Sequence, residues 1–430
     1  MPPVAPSRSG DARSSVVETG DATGAATGGS AVLSVAPRRS GDARSGAVET
    51  GGASVGAHGA ARTPRLPGVD FLRGVACLLV FFYHVGMYWH GAFASGWAPV
   101  IAASGWLSPL VWVAREGLHG VSLFLVLSGF CLHHPLAASG APLRLGVFWR
   151  RRAIRILPAY YASLAILAAA VLSGGALAWA MFPPLEAWDV GVHVLLVHNL
   201  HARTIWSLNG AYWSLALEWQ LYLIFPLLVL LARRAPALLL AGSALGAWFG
   251  PALLGRAFPV LHASPAWWAV GAESVVGHLF EFACGMVAAE LLARGRVPPK
   301  GVLLLLASAM IPVLYAVDVA HALPVPAQRL ACGVSFASLV LLVGPSSLGG
   351  GWVRRALLFP GVVSYSLYLV HQPILLVLRP WVWRLGWSST AAFGLAALVV
   401  LPASLAVAKL FHAAFEAPFL PGGRLRRLAG

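Results

Sequence analysis

Charge is what this chain has least of. Only 10% of its 430 residues are Asp, Glu, Lys or Arg, against roughly a quarter in ordinary soluble domains. Thirty basic and fifteen acidic residues cannot build the charged shell that a soluble fold of this length needs, which excludes a water-soluble globular enzyme. Acid is scarcer than base, leaving a net charge of +15. A nucleic-acid partner would require those bases clustered on a soluble face, but they fall in short gaps between apolar runs, so none is expected. Cysteine is also sparse. Cys77, Cys131, Cys284 and Cys332 lie inside apolar runs without CxxC or Cys/His spacing, which signals neither a metal site nor a disulfide framework. They read as small buried apolar residues.

What is abundant is hydrophobicity: 58% of residues, with a mean hydropathy of +0.76, indicating an all-α polytopic membrane protein in the lipid bilayer. Residues 1–62 stand apart, with no Phe, Trp or Tyr and no long apolar run, and read as a disordered low-complexity tail. The tail repeats itself. VAPSRSGDARSSVVETG at 4–20 returns as VAPRRSGDARSGAVETG at 35–51, a duplicated linker with no periodic face that could stack a core. No signal-peptide core precedes the first long apolar run, so that run is expected to act as an uncleaved anchor. Residues 63–423 form the membrane body, and 424–430 a basic C-terminus.

Ten stretches are long enough to span: 69–90, 119–138, 157–181, 211–232, 235–254, 272–293, 301–320, 328–347, 356–378 and 390–413. The stretch 97–114 is apolar too, but its Ser-Gly and Ser-Pro breaks give it an interfacial reading. Alternate gaps collect the basic residues. Seventeen Lys and Arg lie at 62–65, 144–155, 233–234, 294–300, 354–355 and 424–427. The other side has Arg115, Arg203, Arg256, Arg379 and Arg384, with Arg329 near its boundary. That asymmetry puts both termini in the cytoplasm and supports an even number of spans.

Ionisable groups inside spans are expensive and therefore candidates for function. The first span, GVDFLRGVACLLVFFYH, carries Asp70, Arg73 and His84. Eleven positions separate Arg73 from His84, about three turns and about 16 Å of rise, leaving both on nearly one helix face. Histidine is the natural general base near neutral pH; the structural alternative is a helix-packing histidine. In FWRRRAIRILPAYY, Arg152 and Arg155 share a face and suit bidentate phosphate binding, against plain positive-inside anchoring. Glu218, early in the span opened by YWSLALEWQLY, needs a cation or hydrogen-bond donor, either to orient His84, to contact a polar acceptor, or as a structural ion pair. Weaker signals are His371 before a proline kink, read as a packing or gate histidine, and Glu281 and Glu416, read as structural. His133 and His134, at the inner end of the second span, read as interfacial.

The ordered set FLRGVACLLVFFYH, GVSLFLVLSGF, FWRRRAIRILP, YWSLALEWQLY, YSLYLVHQP and FEAPF resembles acyltransferase family 3, integral membrane O-acyltransferases, over about residues 66–420. The resemblance implies transfer of an acyl group from cytoplasmic acyl-CoA, acetyl-CoA first among the donors. The acceptor would be a hydroxyl of a carbohydrate, cell-envelope glycan or glycosylated natural product. It implies a multi-pass protein of the cytoplasmic (plasma) membrane. By analogy His84 matches the family's essential histidine, Arg73 its partner, Arg152 and Arg155 its arginine pair, and Glu218 the acid of the Trp-Ser-Leu block. Asp70, Trp213 and His371 complete the set as substrate-binding residues. Ser122 departs from the pattern, standing where the family commonly has an acid after Gly-Val. The chain ends soon after the tenth span, so the membrane body is expected to carry the transfer unaided.

On this reading acyl-CoA phosphates meet Arg73, Arg152 and Arg155, the pantetheine arm runs up between spans, and His84 deprotonates the acceptor or acts as a nucleophile. Tryptophans on the outer side, Trp97, Trp106, Trp188, Trp206 and Trp213, could stack on sugars or form an interfacial belt. The competing class is a transporter using Arg73, His84 and Glu218 as a relay for an anionic or lipid-linked substrate, but the matching halves such folds often show are not found.

Overall fold

The computed structural model describes residues 66–90, 92, 96–174, 185–257, 267–318, 322–324, 326–346 and 351–420. The duplicated tail at 1–62, residues 63–65 and the basic terminus at 424–430 lie outside the described residues. Helix is the only regular structure among the described residues. In chain order come α1 (Pro67–Trp89), the short helices Trp97–Ala102 and Ser108–Arg115, α2 (Gly120–Ser139), α3 (Leu145–Leu172) and the short helix Ala187–Val194. Then follow α4 (Trp213–Arg234), α5 (Pro236–Ala257), the short helix Trp267–Ala272 and α6 (Val275–Ala293). The chain closes with α7 (Lys300–Ser308), α8 (Met310–Asp318), α9 (Pro326–Val343), α10 (Trp352–Val362), α11 (Ser364–Arg384), α12 (Ser389–Leu395) and α13 (Leu401–Phe411).

Nine helical stretches among the described residues are long and apolar enough to cross a bilayer, or ten if a bent pair counts as one span. That matches the ten runs in number, with three changes of shape. The second stretch runs from Gly105 to Ser139, so much of 97–114, read as interfacial, is continuous with the second span. The ninth run is not one straight helix, because α10 and α11 meet at an 87° bend around Val363. The third helix begins at Leu145 rather than near 157, so the arginine cluster is helical and Arg152 and Arg155 share a face in fact.

Glycine brings the central helices into backbone contact. A Cβ on Gly129 of α2 would overlap the Phe282 carbonyl of α6, and one on Gly285 of α6 would overlap the Val126 carbonyl of α2. Small residues drive such close approach in membranes, where apolar burial between helices gains little. The same device joins α1 to α10, with Gly74 against Leu357 and Gly361 against Asp70. In consequence α6 sits centrally, 67% of its apolar window buried, while Lys300–Val317 lies at the rim with 17%.

Prolines inside helices free a carbonyl four residues back, and side chains take it up. Pro226 leaves the Tyr222 carbonyl free, and Trp149 Nε1 donates to it at 3.2 Å. Pro373 leaves the Leu369 carbonyl free, and Asn209 Nδ2 donates to it at 3.0 Å. That second bond docks the segment before α4 onto α11. Its preceding residue, Leu208, holds a left-handed φ of 62°, a conformation kept at cost by a non-glycine residue.

Candidate active site

A cavity of about 650 Å³ opens among α1, α2, α3, α4, α11 and residues 412–420, and Arg73, Arg152 and Arg155 all line it. The three arginines, far apart in sequence, therefore converge as expected. Asp70 and Glu218 also line it, together with Glu416 and His412. The carboxylates are engaged: Asp70 pairs with Arg73 at 3.4 Å, Ser128 Oγ donates to Glu218 at 2.8 Å, and Ser366 Oγ donates to Glu416 at 2.7 Å. Tyr222 adds a very short bond to Glu218, and His412 stands 2.8 Å from Glu416. Among the described residues Arg152 and Arg155 form no ion pair. Two guanidinium groups without a carboxylate partner have the planar, fork-like geometry that suits phosphate oxygens.

Glu218 thus belongs to the arginine end of the cavity. No hydrogen bond joins it to His84 among the described residues, so it does not orient that ring; its partners are Ser128 and Tyr222. Glu416, read from sequence as structural, shares the same wall.

His84 does not line the cavity, but Tyr368, which does, leads toward it. Tyr368 bonds Ser214 Oγ at 2.6 Å and meets Phe124 edge-on at 6.1 Å. Its ring is 5.7 Å from that of His371, which is 5.0 Å from His84. The partners fix the tautomers. His371 Nδ1 is 2.9 Å from the Tyr368 carbonyl and so carries hydrogen, leaving Nε2 as an acceptor. His84 Nδ1 donates to the Val80 carbonyl at 2.8 Å and faces His371 Nε2 at 3.2 Å. His84 Nε2 is then the bare nitrogen, and Gln372 Nε2 donates to it at 2.6 Å. Tyr88 stacks on the imidazole with planes 16° apart. A histidine with one nitrogen anchored and the other a lone pair is arranged to accept a proton.

His371 is therefore a partner of the candidate base. Trp213 stacks at 5.4 Å on His278, part of a separate buried network with Glu273, Glu281 and Arg329. Ser122 donates to Glu281 at 2.7 Å, so α6 places an acid beside the α2 position that lacks one. His133 is not interfacial: it is fully buried and bonded to Glu290 at 2.6 Å. Sequence reasoning missed Tyr222, Tyr368 and Gln372, whose only signal was their place inside the blocks YWSLALEWQLY and YSLYLVHQP.

The sequence profile described as an acyltransferase domain, family 3, matches residues 66–409. The chain belongs to this family. It is an acyltransferase for groups other than aminoacyl groups, built as a multi-pass membrane protein. This acyltransferase is similar to acyltransferase MdmB of Streptomyces mycarofaciens, 28% identical over 83% of this chain and 92% of that protein. The exopolysaccharide production protein ExoZ of Rhizobium meliloti is 26% identical over 73% of this chain and 92% of its own. Peptidoglycan O-acetyltransferase OatA of Listeria monocytogenes is 27% identical over 38% of this chain and 24% of its own length. No solved structure matches the acyltransferase.

Proposed function

We propose that this acyltransferase moves an acyl group, acetyl first, from cytoplasmic acyl-CoA to a hydroxyl of a carbohydrate, cell-envelope glycan or glycosylated natural product, within the cytoplasmic membrane. The observation that carries this reading is the pair of unpaired arginines, Arg152 and Arg155, in a cavity whose lining ring Tyr368 meets His371, the ring partner of His84. The names of ExoZ and OatA, which speak of exopolysaccharide and peptidoglycan, favour a glycan acceptor.

Arg73, Arg152 and Arg155 hold the donor's phosphates, and the thioester arm passes Tyr368 toward His84. His84 Nε2 takes the acceptor's hydroxyl proton while the oxygen attacks the thioester carbonyl. The carbon–sulfur bond breaks, and the thiolate recovers the proton from His84. His371, whose Nε2 faces His84 Nδ1, steadies the imidazolium between the two events. Asp70 sets Arg73, Glu218 orders Tyr222 and Ser128 at the cavity wall, and Trp213 contributes to the acceptor side.

Acetyl-CoA at about 100 times its Kd stabilises a native-only binder by about 2.7 kcal/mol. A rise in the melting midpoint of the detergent-purified protein with acetyl-CoA is therefore expected, and its loss in an Arg152→Ala, Arg155→Ala double variant. His84→Ala should keep that rise and lose transfer by about 10²–10⁴-fold. A folded protein with no shift for any acyl-CoA would overturn the donor, and full transfer by His84→Ala would overturn the base.

A further inference from the structure

Away from the arginine cavity, three soft donors from three elements meet. Cys332 Sγ on α9 lies 3.4 Å from His119 Nδ1, in the turn that opens α2, and 3.7 Å from Met310 Sδ, the first residue of α8. Cys332 and His119 are buried, and Met310 is half-buried. Nothing in the sequence spacing groups them, since His119 and Cys332 stand 213 positions apart. The donors sit on fixed elements. A Cβ on Gly117 would overlap the Leu79 carbonyl of α1, and one on Gly120 would crowd the Ala76 carbonyl at 2.7 Å, so the His119 turn is locked onto α1. Ser335 Oγ donates to the Leu306 carbonyl at 3.0 Å, which holds the end of α7, just before Met310, against α9.

Hydrogen bonding does not use these donors up. Glu116 Oε2 stands 3.5 Å from His119 Nε2, so the ring hydrogen belongs on Nε2, and Nδ1 turns its lone pair toward the thiol. The single thiol hydrogen then faces two acceptors, His119 Nδ1 and Met310 Sδ, and serves only one of them. Neither His119 Nε2 nor either oxygen of the buried Glu116 has a hydrogen bond among the described residues, and Arg115 Nε stands off at 3.6 Å. A buried carboxylate in that state asks for an explanation.

The spacing is that of metal ligands. Donors held at about 2.0–2.3 Å from one ion and spread at about 120° lie roughly 3.5–4 Å from one another, so an ion sits among donors already in contact and needs no separate cavity. The two separations at Cys332 are of that size. Thiolate and thioether are soft ligands that select Cu(I), whereas zinc sites draw on thiolate, imidazole and carboxylate rather than thioether. A thiolate and Cu(I) also form a neutral pair, the charge state that burial favours.

We propose that Cys332, His119 and Met310 bind one Cu(I) ion, with Glu116 behind His119. The ion forms bonds to Cys332 Sγ, Met310 Sδ and His119 Nδ1, and the thiol hydrogen leaves as a proton to the medium, with no change of oxidation state. Glu116 accepts from His119 Nε2–H, the role carboxylates take behind metal-bound imidazoles. The ion then ties α8 and α9 to the turn that opens α2.

The test uses the reduced, full-length protein in detergent, with Cu(I) buffered by excess bicinchoninate. Wild type should retain one Cu(I) against the chelator. Cys332→Ser, Met310→Leu and His119→Gln should each hold it about tenfold more weakly or worse, and Glu116→Gln about 10–100-fold more weakly. A Cys77→Ser, Cys131→Ser, Cys284→Ser protein should keep it, which separates this site from adventitious binding by the other thiols. A wild type that retains no Cu(I), or retention unchanged in Met310→Leu or in His119→Gln, overturns the site. If the variants do not fold, X-ray absorption of the copper-loaded wild type decides: two sulfurs and one nitrogen around the ion support the site, and one sulfur, or sulfur alone, overturns it.

Discussion

In the segment between α3 and α4, His193 and His198 stack with ring centroids 3.9 Å apart and planes 7° apart. Both are fully buried and lie outside the membrane-spanning helices. Burial, reinforced by the neighbouring imidazole, holds His198 well below the ordinary histidine value. The folded protein keeps this ring neutral, while the unfolded chain binds a proton below about pH 6.5. Stability is therefore intact above that value and is lost as pH falls through it toward the folded pKa, at up to about 1.4 kcal/mol per unit. The melting midpoint should drop between pH 7 and pH 5, and drop less in His198→Phe, which keeps the stack; parallel curves for the two proteins would refute this. Residue by residue, legibility followed cost. Arg73, His84, Arg152, Arg155 and Glu218 stood out because charge inside an apolar run is expensive. Gln372 and Tyr368 are neutral and carry no such flag, and the Gln372–His84 bond joins positions 288 apart, which no spacing rule reaches.

Among the elements, α2 and α6 meet through Gly129 and Gly285, with no room for even a methyl group. Gly285→Ala should therefore destabilise the protein by about 1–3 kcal/mol, as overpacked cores do. Gly301→Ala in α7 meets nothing within 4 Å and should be neutral or gain about 0.5–1 kcal/mol from helix propensity. Denaturation of the two variants side by side measures the contrast, and equal stabilities would contradict the packing. Helix number was legible because a long apolar run has few alternatives in a membrane. Helix limits were less so. Arg150, Arg151 and Arg152 look like a boundary, yet α3 continues through them from Leu145 because a helix does not have to stop where lipid does. The bend at Val363 follows Pro360, but Pro158, Pro226 and Pro373 sit inside helices that run on, so proline alone could not single it out.

For the molecule as a whole, the proposed function has the arginine cavity face the cytoplasm, while His84 stands off the cavity lining, past Tyr368 and His371. From the Tyr368 ring, held by its bond to Ser214 and its contact with Phe124, ring contacts lead through His371 to His84. Reagents arriving from opposite faces require a polar route running most of the way through, which is also the anatomy of a pore. On the proposed function Tyr368 would act as a seal for the membrane potential as well as a boundary for the donor. In proteoliposomes carrying an internal pH dye, Tyr368→Ala should dissipate a proton gradient faster than wild type, while Tyr368→Phe, which keeps the ring, should hold it nearly as well. An unchanged leak in Tyr368→Ala would place the insulation elsewhere. If donor and acceptor meet as proposed, what separates them also decides whether the transfer costs the cell its proton gradient.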